Sequence, residues 1–143
     1  MKKPDIKAIE AYKKAAYYLI PLHRWNKTTT DPRSKKEMPR GKTPRDMDWR
    51  RRKYSGKEIT QHLEKGGNVG VRLTKRDLIL DVDPRNFPEG DNVLARFVKD
   101  FDLDLSQFPH VITGSGGSHY YMKKPEDVHI CEPLEDYPGL EFK

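Results

Sequence analysis

Hydrophobic and polar positions alternate most regularly in the middle of the chain. From Val69 to Leu73, every second residue is apolar, which is the two-residue period of a half-buried strand. Leu78 to Val82 is an apolar run broken only by Asp81, which predicts a central strand covered on both faces. The polar residues from Thr74 to Asp77 predict a tight turn between them. We therefore expect a central hairpin at residues 68–83.

Other stretches predict helices and strands around this hairpin. Apolar residues with a helical period predict helices at 5–18, 55–65 and 91–101. Ser55 and Glu58 have the spacing of a capping box, and Asp91 is the expected N-cap of the third helix, whose buried stripe runs to Phe101. Short apolar runs predict further strands at 18–22, 109–113 and 119–122, and from Gly139 onward.

Residues 23–53 show little periodicity and contain three prolines, so we expect an extended arm without regular structure. The segment has 12 Lys or Arg against 4 Asp or Glu. Trp25, Trp49 and Tyr54 flank its basic residues. Cations interleaved with aromatic rings are typical of single-stranded nucleic-acid sites, although a tryptophan is also a common packing anchor.

The composition limits the possible classes of protein. The 143 residues predict one domain over 1–143, divided into an N-terminal helix and strand (1–22), a basic arm (23–53) and a sheet with helices (54–143). Neither a membrane span nor a signal peptide is evident, and the single Cys131 excludes an internal disulfide, which fits a cytoplasmic protein. His129 and Cys131 have no second ligand pair, so we do not interpret them as a metal site.

Charge is distributed unequally along the chain. Residues 77–143 have 6 Lys or Arg against 14 Asp or Glu, the reverse of the basic arm. This asymmetry is typical of a protein that binds a polyanion with one part and holds cations with the other. Segregation of solvated surface charge by chance is the alternative.

Two features carry candidate chemistry. Asp81 and Asp83 lie two apart on a strand, so their carboxylates leave the same face, roughly 6.6 Å apart along the chain, where a divalent metal would relieve their repulsion. The turn Gly114–Ser118 brings backbone N–H groups and serine hydroxyls close enough to hold an anion, and His119 can donate to a phosphate oxygen. The turn also suits a plain hairpin loop. Glu141 by itself suggests no more than a surface acid.

Taken in order, four motifs resemble a known family. They are Asn-Val-Gly-Val at 68–71, Leu-Asp-Val-Asp at 80–83, Thr-Gly-Ser-Gly-Gly-Ser-His-Tyr-Tyr at 113–121 and Gly-Leu-Glu at 139–141. The set resembles the bifunctional primase–polymerase domain, a branch of the archaeo-eukaryotic primase superfamily found in phages, plasmids and mobile elements. The similarity spans roughly residues 36–143 and includes the family's Lys-x-Pro at 42–44 and its downstream Trp49.

The resemblance implies an α+β fold with a mixed, mainly antiparallel sheet and flanking helices, in which an RRM-like sheet is joined by an additional αβ module. Because the family continues beyond the third motif, we expect the chain to be either a fragment truncated at its C-terminus or an unusually small member, and to be weakly active alone. The implied function is template-directed nucleotidyl transfer, that is, DNA primase or polymerase activity, with Mg²⁺ or Mn²⁺, two ions in all, as cofactors. The implied partners are a single-stranded DNA template, nucleoside triphosphates and a helicase domain or protein.

The resemblance also assigns roles to individual residues. Asp81, Asp83 and Glu141 would be the catalytic metal ligands, with glutamate standing where the family commonly has aspartate. Ser115, Gly116, Gly117, Ser118 and His119 would bind the nucleotide. Cations expected to contact DNA are Lys42, Arg50, Arg51, Arg52, Lys53 and Arg72.

Two alternatives stay open at this point. The first is a non-catalytic module that binds single-stranded DNA in a replication protein. The second is another metal-dependent phosphoryl or glycosyl transferase, which the absence of a phosphatase-type loop and the presence of the basic arm disfavour.

Overall fold

The computed structural model describes residues 6–130 and 133–143. Contacts divide the chain into two compact units, the first ending at Leu73 and the second beginning at Thr74. Helices and antiparallel strands are mixed in the chain, which confirms the α+β class. A single domain over 1–143 stays a prediction. The helices and strands of the described residues are α1 (Ile6–Lys14), α2 (Gly56–Glu64), α3 (Val93–Asp100), β1 (Tyr18–Leu22), β2 (Thr28–Thr30), β3 (Glu37–Pro39), β4 (Asn68–Arg72), β5 (Asp77–Val82), β6 (His110–Ile112), β7 (Ser118–Lys123) and β8 (Leu140–Phe142).

The first unit is built around the antiparallel pair β1 and β4, in which Leu22 lies opposite Asn68. Its buried cluster consists of Ile9 from α1, Leu19 from β1 and Ile59 from α2. Tyr12 of α1 and Leu63 of α2 pack against this cluster, so both helices cover the sheet.

The predicted helices of this unit are present with different limits. In α2 the capping box is confirmed, because Ser55 Oγ accepts from Glu58 N (3.2 Å) and the Glu58 carboxylate accepts from Ser55 N (2.8 Å). Helix α1 ends well before the predicted limit of residue 18, since Ala16 has a φ of +60°, outside the helical region. Its predicted first residue, Asp5, lies outside the described residues, as does Cys131.

The sequence analysis expected the basic arm to lack regular structure, and this prediction is wrong. Strands β2 and β3 pair antiparallel within it and are exposed throughout. The Asp31 carboxylate accepts hydrogen bonds from the backbone N–H groups of Arg33 (2.8 Å) and Ser34 (2.6 Å), which stabilises the turn between them. This hairpin buries no apolar face, so its sequence has no hydrophobic period from which it could be predicted.

The second unit contains a four-stranded antiparallel sheet in the order β6-β7-β5-β8. Strand β5 is an inner strand, as predicted for its apolar run. Its side chains Leu80 and Val82 are buried together with Val93 and Phe97 of α3 and Leu140 of β8. One face of the sheet is therefore covered by α3.

The predicted central hairpin is wrong. Strands β4 and β5 are consecutive, but β4 pairs with β1 whereas β5 pairs with β7 and β8. The turn between them does form, because the Asp77 carboxylate accepts from Thr74 N (2.7 Å) and pairs with Lys123. An alternating pattern shows that a strand has one buried face, but it does not show which strand is its neighbour.

Two details of α3 also differ from the prediction. Its N-cap is Asn92, which accepts from Ala95 N at 3.1 Å, whereas Asp91 accepts from Arg96 Nη2 at 3.0 Å instead. Phe101 is 57% exposed because it lies at the C-cap, beyond the last residue of the helix.

Candidate active site

A row of charged side chains crosses the sheet of the second unit at Asp81. This residue of β5 lies directly opposite His119 on β7 and Glu141 on β8. Because paired residues of neighbouring strands point to the same face of a sheet, the three side chains leave it side by side. His119 Nε2 is 3.2 Å from Asp81 Oδ1. The register thus brings together three residues that the sequence analysis selected from separate motifs.

Asp83 follows on the same side but is held by a cation of its own. Its Oδ1 accepts from Arg85 Nε (2.9 Å) and its Oδ2 from Arg85 Nη2 (2.7 Å). The guanidinium of Arg85 keeps the pKa of Asp83 below its ordinary value. Asp83 Oδ1 also accepts from Arg85 N at 3.2 Å and so caps the short 3₁₀ helix Pro84–Asn86. Asp83 therefore has a structural task as well as its predicted role.

Lys143 lies between the two acids of the row, a contact that the sequence analysis missed. Its ammonium donates a hydrogen bond to Asp81 Oδ2 and lies 3.3 Å from Glu141 Oε2. The bond to Asp81, and next that to Glu141, raise the pKa of Lys143 above its ordinary value. Lys143 continues the ladder of β8, its N–H donating to Ile79 O at 2.9 Å. Its position two residues after Glu141, on the same strand face, was the signal available in the sequence.

A cleft of about 440 Å³ opens beside the row. Asp81, Asp83, Glu141 and Lys143 line it, together with Asn86 and a wall formed by residues 133–135 and 138–140. The carboxylates outnumber the ammonium group here, so the cleft favours cationic ligands.

The donor set of this cleft fits a hard divalent cation. All three predicted ligands are carboxylates, and carboxylate oxygens are what Mg²⁺ and Mn²⁺ prefer. Within residues 6–130 and 133–143, however, no three His, Cys, Asp or Glu side chains are grouped ready to hold a metal. Lys143 contacts Asp81 and Glu141, and Arg85 contacts Asp83. The chemistry of the site is therefore suited to a metal, while its present contacts are made by the chain's own cations.

The glycine turn between β6 and β7 is largely hydrogen-bonded within itself. Gly116 N donates to Thr113 O (3.0 Å), and Gly117 N donates to Thr113 Oγ1 (2.9 Å). Ser115 Oγ lies 3.2 Å from the same hydroxyl, and Ser118 Oγ lies 2.9 Å from His110 Nε2. A Cβ at Gly117 would lie 2.4 Å from Val82 O, so this turn requires glycine there. The turn sets His119 directly behind it on β7.

Comparison with known proteins supports the reading of these motifs. The sequence model of the family described as "Bifunctional DNA primase/polymerase, N-terminal" matches residues 8–143. The chain belongs to this family. The search of curated proteins and the search of solved structures each gave no match. Membership confirms the resemblance and shows a function of the primase/polymerase type.

In this primase/polymerase domain, the cations predicted to contact DNA fall into two groups. Lys42, Arg50, Arg51 and Lys53 are exposed. The guanidinium of Arg50 lies over the Trp49 ring, 4.6 Å from its centroid, which leaves its charge accessible. These four are the side chains in the set that are suited to phosphate contact.

Arg52 and Arg72 are engaged inside the first unit. Arg72 Nη1 donates to the carbonyl oxygens of Trp49 (3.0 Å) and Arg50 (2.6 Å), so Arg72 holds the end of the basic arm. Arg52 Nη2 donates to Glu58 Oε1 at 3.0 Å. Sequence composition alone does not separate a cation that binds its own chain from one that is free for a ligand.

The aromatic residues that flank the basic residues of the arm also differ in exposure. Trp25 is 74% exposed. Tyr54, by contrast, packs on the buried cluster and donates to Asp46 Oδ2 at 2.8 Å.

Among the helices of residues 6–130 and 133–143, none has the length and apolar character needed to cross a membrane.

Proposed function

We propose that this domain adds nucleotides to the 3′ end of a primer under the direction of a template strand, with the row at Asp81 as its catalytic centre. The observation that carries the proposal is the strand register that sets Asp81 between His119 and Glu141. In this reaction the 3′-hydroxyl oxygen bonds to the α-phosphorus, the bond to the β-phosphate oxygen breaks, and pyrophosphate leaves. The hydroxyl proton passes to water.

Asp81, Asp83 and Glu141 are the residues that would hold two Mg²⁺ or Mn²⁺ ions, which when bound supply charge neutralisation and Lewis acidity. His119, 3.2 Å from Asp81, orients the triphosphate from the neighbouring strand together with the turn Gly114–Ser118.

Lys143 and Arg85 complete the charge balance of the proposed site. Each contacts a carboxylate that the proposal assigns to a metal. A cation that leaves a carboxylate when a metal binds is then available to a phosphate oxygen. We infer that these two side chains exchange acidic partners for phosphate oxygens when nucleotide and metal bind.

The first unit supplies the charge that a template needs. Up to Leu73 the chain has 20 Lys or Arg against 8 Asp or Glu. Its exposed members Lys42, Arg50, Arg51 and Lys53 would contact the backbone of a single-stranded DNA template. The setting that this chemistry fits is replication of a phage, plasmid or mobile element, beside a helicase that exposes the template.

The test is primer extension on a single-stranded template with Mn²⁺ or Mg²⁺, comparing the wild type with Asp81→Asn. Loss of a residue that only supports a metal ligand costs about 10–100-fold, so we expect loss of the ligand to cost more than about a hundredfold. Asp127→Asn, an exposed acid of the same unit, is the matched control.

Binding of a fluorescent DNA strand separates the proposal from its alternative. Asp81→Asn should bind the strand as the wild type does while failing to extend a primer. Equal extension by Asp81→Asn and Asp127→Asn would refute the catalytic role of the row. Strand binding without any extension, even by the wild type with metal, would favour the non-catalytic single-stranded-DNA-binding module.

His119 has a distinct signature in the same assay. If it orients the triphosphate, His119→Ala raises the KM for the nucleotide more than it lowers kcat. An unchanged KM would assign His119 to sheet packing beside Asp81.

A further inference from the structure

A second cleft, in the first unit, is lined by basic side chains that the proposed catalysis does not use. Its volume is about 290 Å³. We call it the basic pocket; its lining side chains are His23, Arg24, Lys27, Arg45, His62 and Lys65.

The strand register explains why these residues meet. Leu22, the last residue of β1, lies opposite Asn68, the first residue of β4. The segment that follows β1 and the segment that precedes β4 therefore meet at the same end of this strand pair. Residues 23–27 and 62–67 are brought side by side although about forty positions separate them in sequence.

The lining of the basic pocket contains no acidic residue. Within the described part of the chain, Arg24, Lys27 and Lys65 make no ion pair, and all three are exposed. Arg45 alone is neutralised, by Asp46, with Arg45 Nε 2.9 Å from Asp46 Oδ1. Like charges held around one cleft repel each other unless an anion lies between them.

The same positive field acts on His23. Burial, and after it the charges of Arg40, Lys27 and Arg45, lower the pKa of His23 below its ordinary value. The cationic neighbours of His23 thus disfavour a proton on its ring. An anionic ligand bound between these cations would reduce their repulsion.

The floor of the basic pocket is fixed. His62 Nε2 lies 2.7 Å from Leu22 O and 3.0 Å from Asn68 O, so the ring is tied to both strands. A Cβ at Gly67 would lie 2.1 Å from His62 Nε2, and only glycine lets the chain pass this close. The three unpaired cations therefore surround a preformed floor.

The residue that follows Arg24 in the chain indicates the kind of anion. Trp25 directly follows Arg24 and is 74% exposed, which is unusual for so large an apolar ring. An exposed indole one position along the chain from an unpaired cation can offer a flat surface for a base, while that cation offers charge for a phosphate. A free inorganic anion would use the cations but not the ring.

We propose that the basic pocket binds one phosphate group of a nucleic-acid strand, with Arg24, Lys27 and Lys65 as its donors and Trp25 stacking on the adjacent base. The inference rests on the proposed function, because it names a contact between this domain and its nucleic-acid partner. The phosphate belongs either to the backbone or to a 5′ end, and the chemistry of recognition is the same for both.

The experiment compares two variants of three cations each. The pocket variant has Arg24→Gln, Lys27→Gln and Lys65→Gln; the control variant has Arg33→Gln, Lys36→Gln and Lys7→Gln, which are exposed cations of the same unit outside the pocket. Binding of a single-stranded oligonucleotide is measured by fluorescence anisotropy over a range of salt concentrations, with and without a 5′-phosphate. A variant with Lys27→Arg and Lys65→Arg keeps the charge and should bind as the wild type does.

For one lost phosphate contact we expect the salt slope of the pocket variant to fall by about 0.7 relative to the control. We also expect its affinity to fall about tenfold. A loss with both oligonucleotides supports a backbone phosphate, and a loss confined to the 5′-phosphorylated strand supports a terminal one. Trp25→Ala should weaken binding further without changing the salt slope.

Equal binding by the pocket and control variants overturns the proposal. So does a wild type that binds neither strand. Both outcomes differ from failure of the proposed catalysis, which is read from primer extension and from Asp81→Asn, a residue of the other unit.

Discussion

The two compact units of this domain arrange their ion pairs in opposite ways. In the first unit one carboxylate, Asp46, is surrounded by donors: Arg45 Nε at 2.9 Å, Tyr54 Oη at 2.8 Å and Arg52 Nη1 at 3.7 Å. In the second unit one ammonium, that of Lys143, lies between the carboxylates of Asp81 and Glu141.

This difference determines which kind of ligand each unit can take. From Thr74 onward the chain has 8 Lys or Arg against 14 Asp or Glu, the reverse of the first unit. The minority charge is engaged by several opposite charges at Asp46 in the first unit and at Lys143 in the second. The majority charge exceeds it in each unit and favours a partner of opposite sign. An anionic strand suits the first unit, and cations suit the second.

The largest effects should come from the two buried centres, since Leu80 and Ile59 are each 0% exposed. Leu80→Ala in the second unit or Ile59→Ala in the first removes apolar contacts and leaves a cavity, which costs about 2–5 kcal/mol. Hydrogen exchange of backbone amides should show the larger loss of protection in the unit that carries the substitution.

Leu73→Ala is the control, because Leu73 is 41% exposed, and its cost should stay within about 0.5 kcal/mol. If either core variant lowers protection equally in both units, the two units unfold together. Their stabilities could then not be compared separately.

The next effect distinguishes glycines within the turn of the second unit. A Cβ at Gly117 would lie 2.4 Å from Val82 O, a backbone atom of the inner strand, whereas Gly114 has open space around it. Gly117→Ala should therefore lower the free energy of unfolding by about 1–3 kcal/mol. Gly114→Ala should change it by less than about 0.5 kcal/mol in the same urea titration. Similar values for both would mean that β5 and the turn adjust freely.

The second unit was the easier of the two to predict from sequence. Its apolar runs located β5, β6, β7 and β8, and the family motifs selected Asp81, His119 and Glu141. In the first unit, β2 and β3 are exposed on both faces, and no hydrophobic period marks them. Local patterns also gave β4 the wrong partner, β5 instead of β1.

The contacts of the ionic side chains were beyond prediction for a related reason. Arg72 and Lys42 have the same charge, but only the folded chain shows that Arg72 donates to the carbonyl oxygens of Trp49 and Arg50. Lys143 contacts both acids only because the strand register sets Glu141 opposite Asp81. Register depends on distant strands, and a single sequence reports only local preferences.

A smaller effect follows from the pH dependence of the first unit. The hydrogen bond from Arg45, with that from Tyr54, lowers the pKa of Asp46 to about 2. Because this pKa is depressed on folding, the stabilisation is present above the ordinary value and is lost as pH falls from about 4 to 2. It amounts to at most about 2 kcal/mol. Burial, with the bond to Asp46, raises the pKa of Tyr54 to about 12, so its share is present below pH 10 and is lost between about 10 and 12.

Asp46→Asn is the matching variant. The difference in unfolding free energy between wild type and Asp46→Asn, measured by urea titration, should be largest near neutral pH and shrink towards pH 2. A difference that is independent of pH would show that Asp46 acts through packing and not through its charge.

The smallest expected effect concerns Lys143 of the second unit, the cation that lies between two carboxylates. Lys143→Gln removes the ammonium from between Asp81 and Glu141 and leaves two carboxylates whose repulsion a metal would relieve. We expect Mn²⁺ to bind about tenfold more tightly, equivalent to about 1.4 kcal/mol, by calorimetry without nucleotide. Lys99→Gln, an exposed cation of α3, should leave Mn²⁺ affinity unchanged. Weaker binding by Lys143→Gln would mean that Lys143 positions the acids for the metal. In that case the minority charge of the second unit would be part of the site and not its competitor.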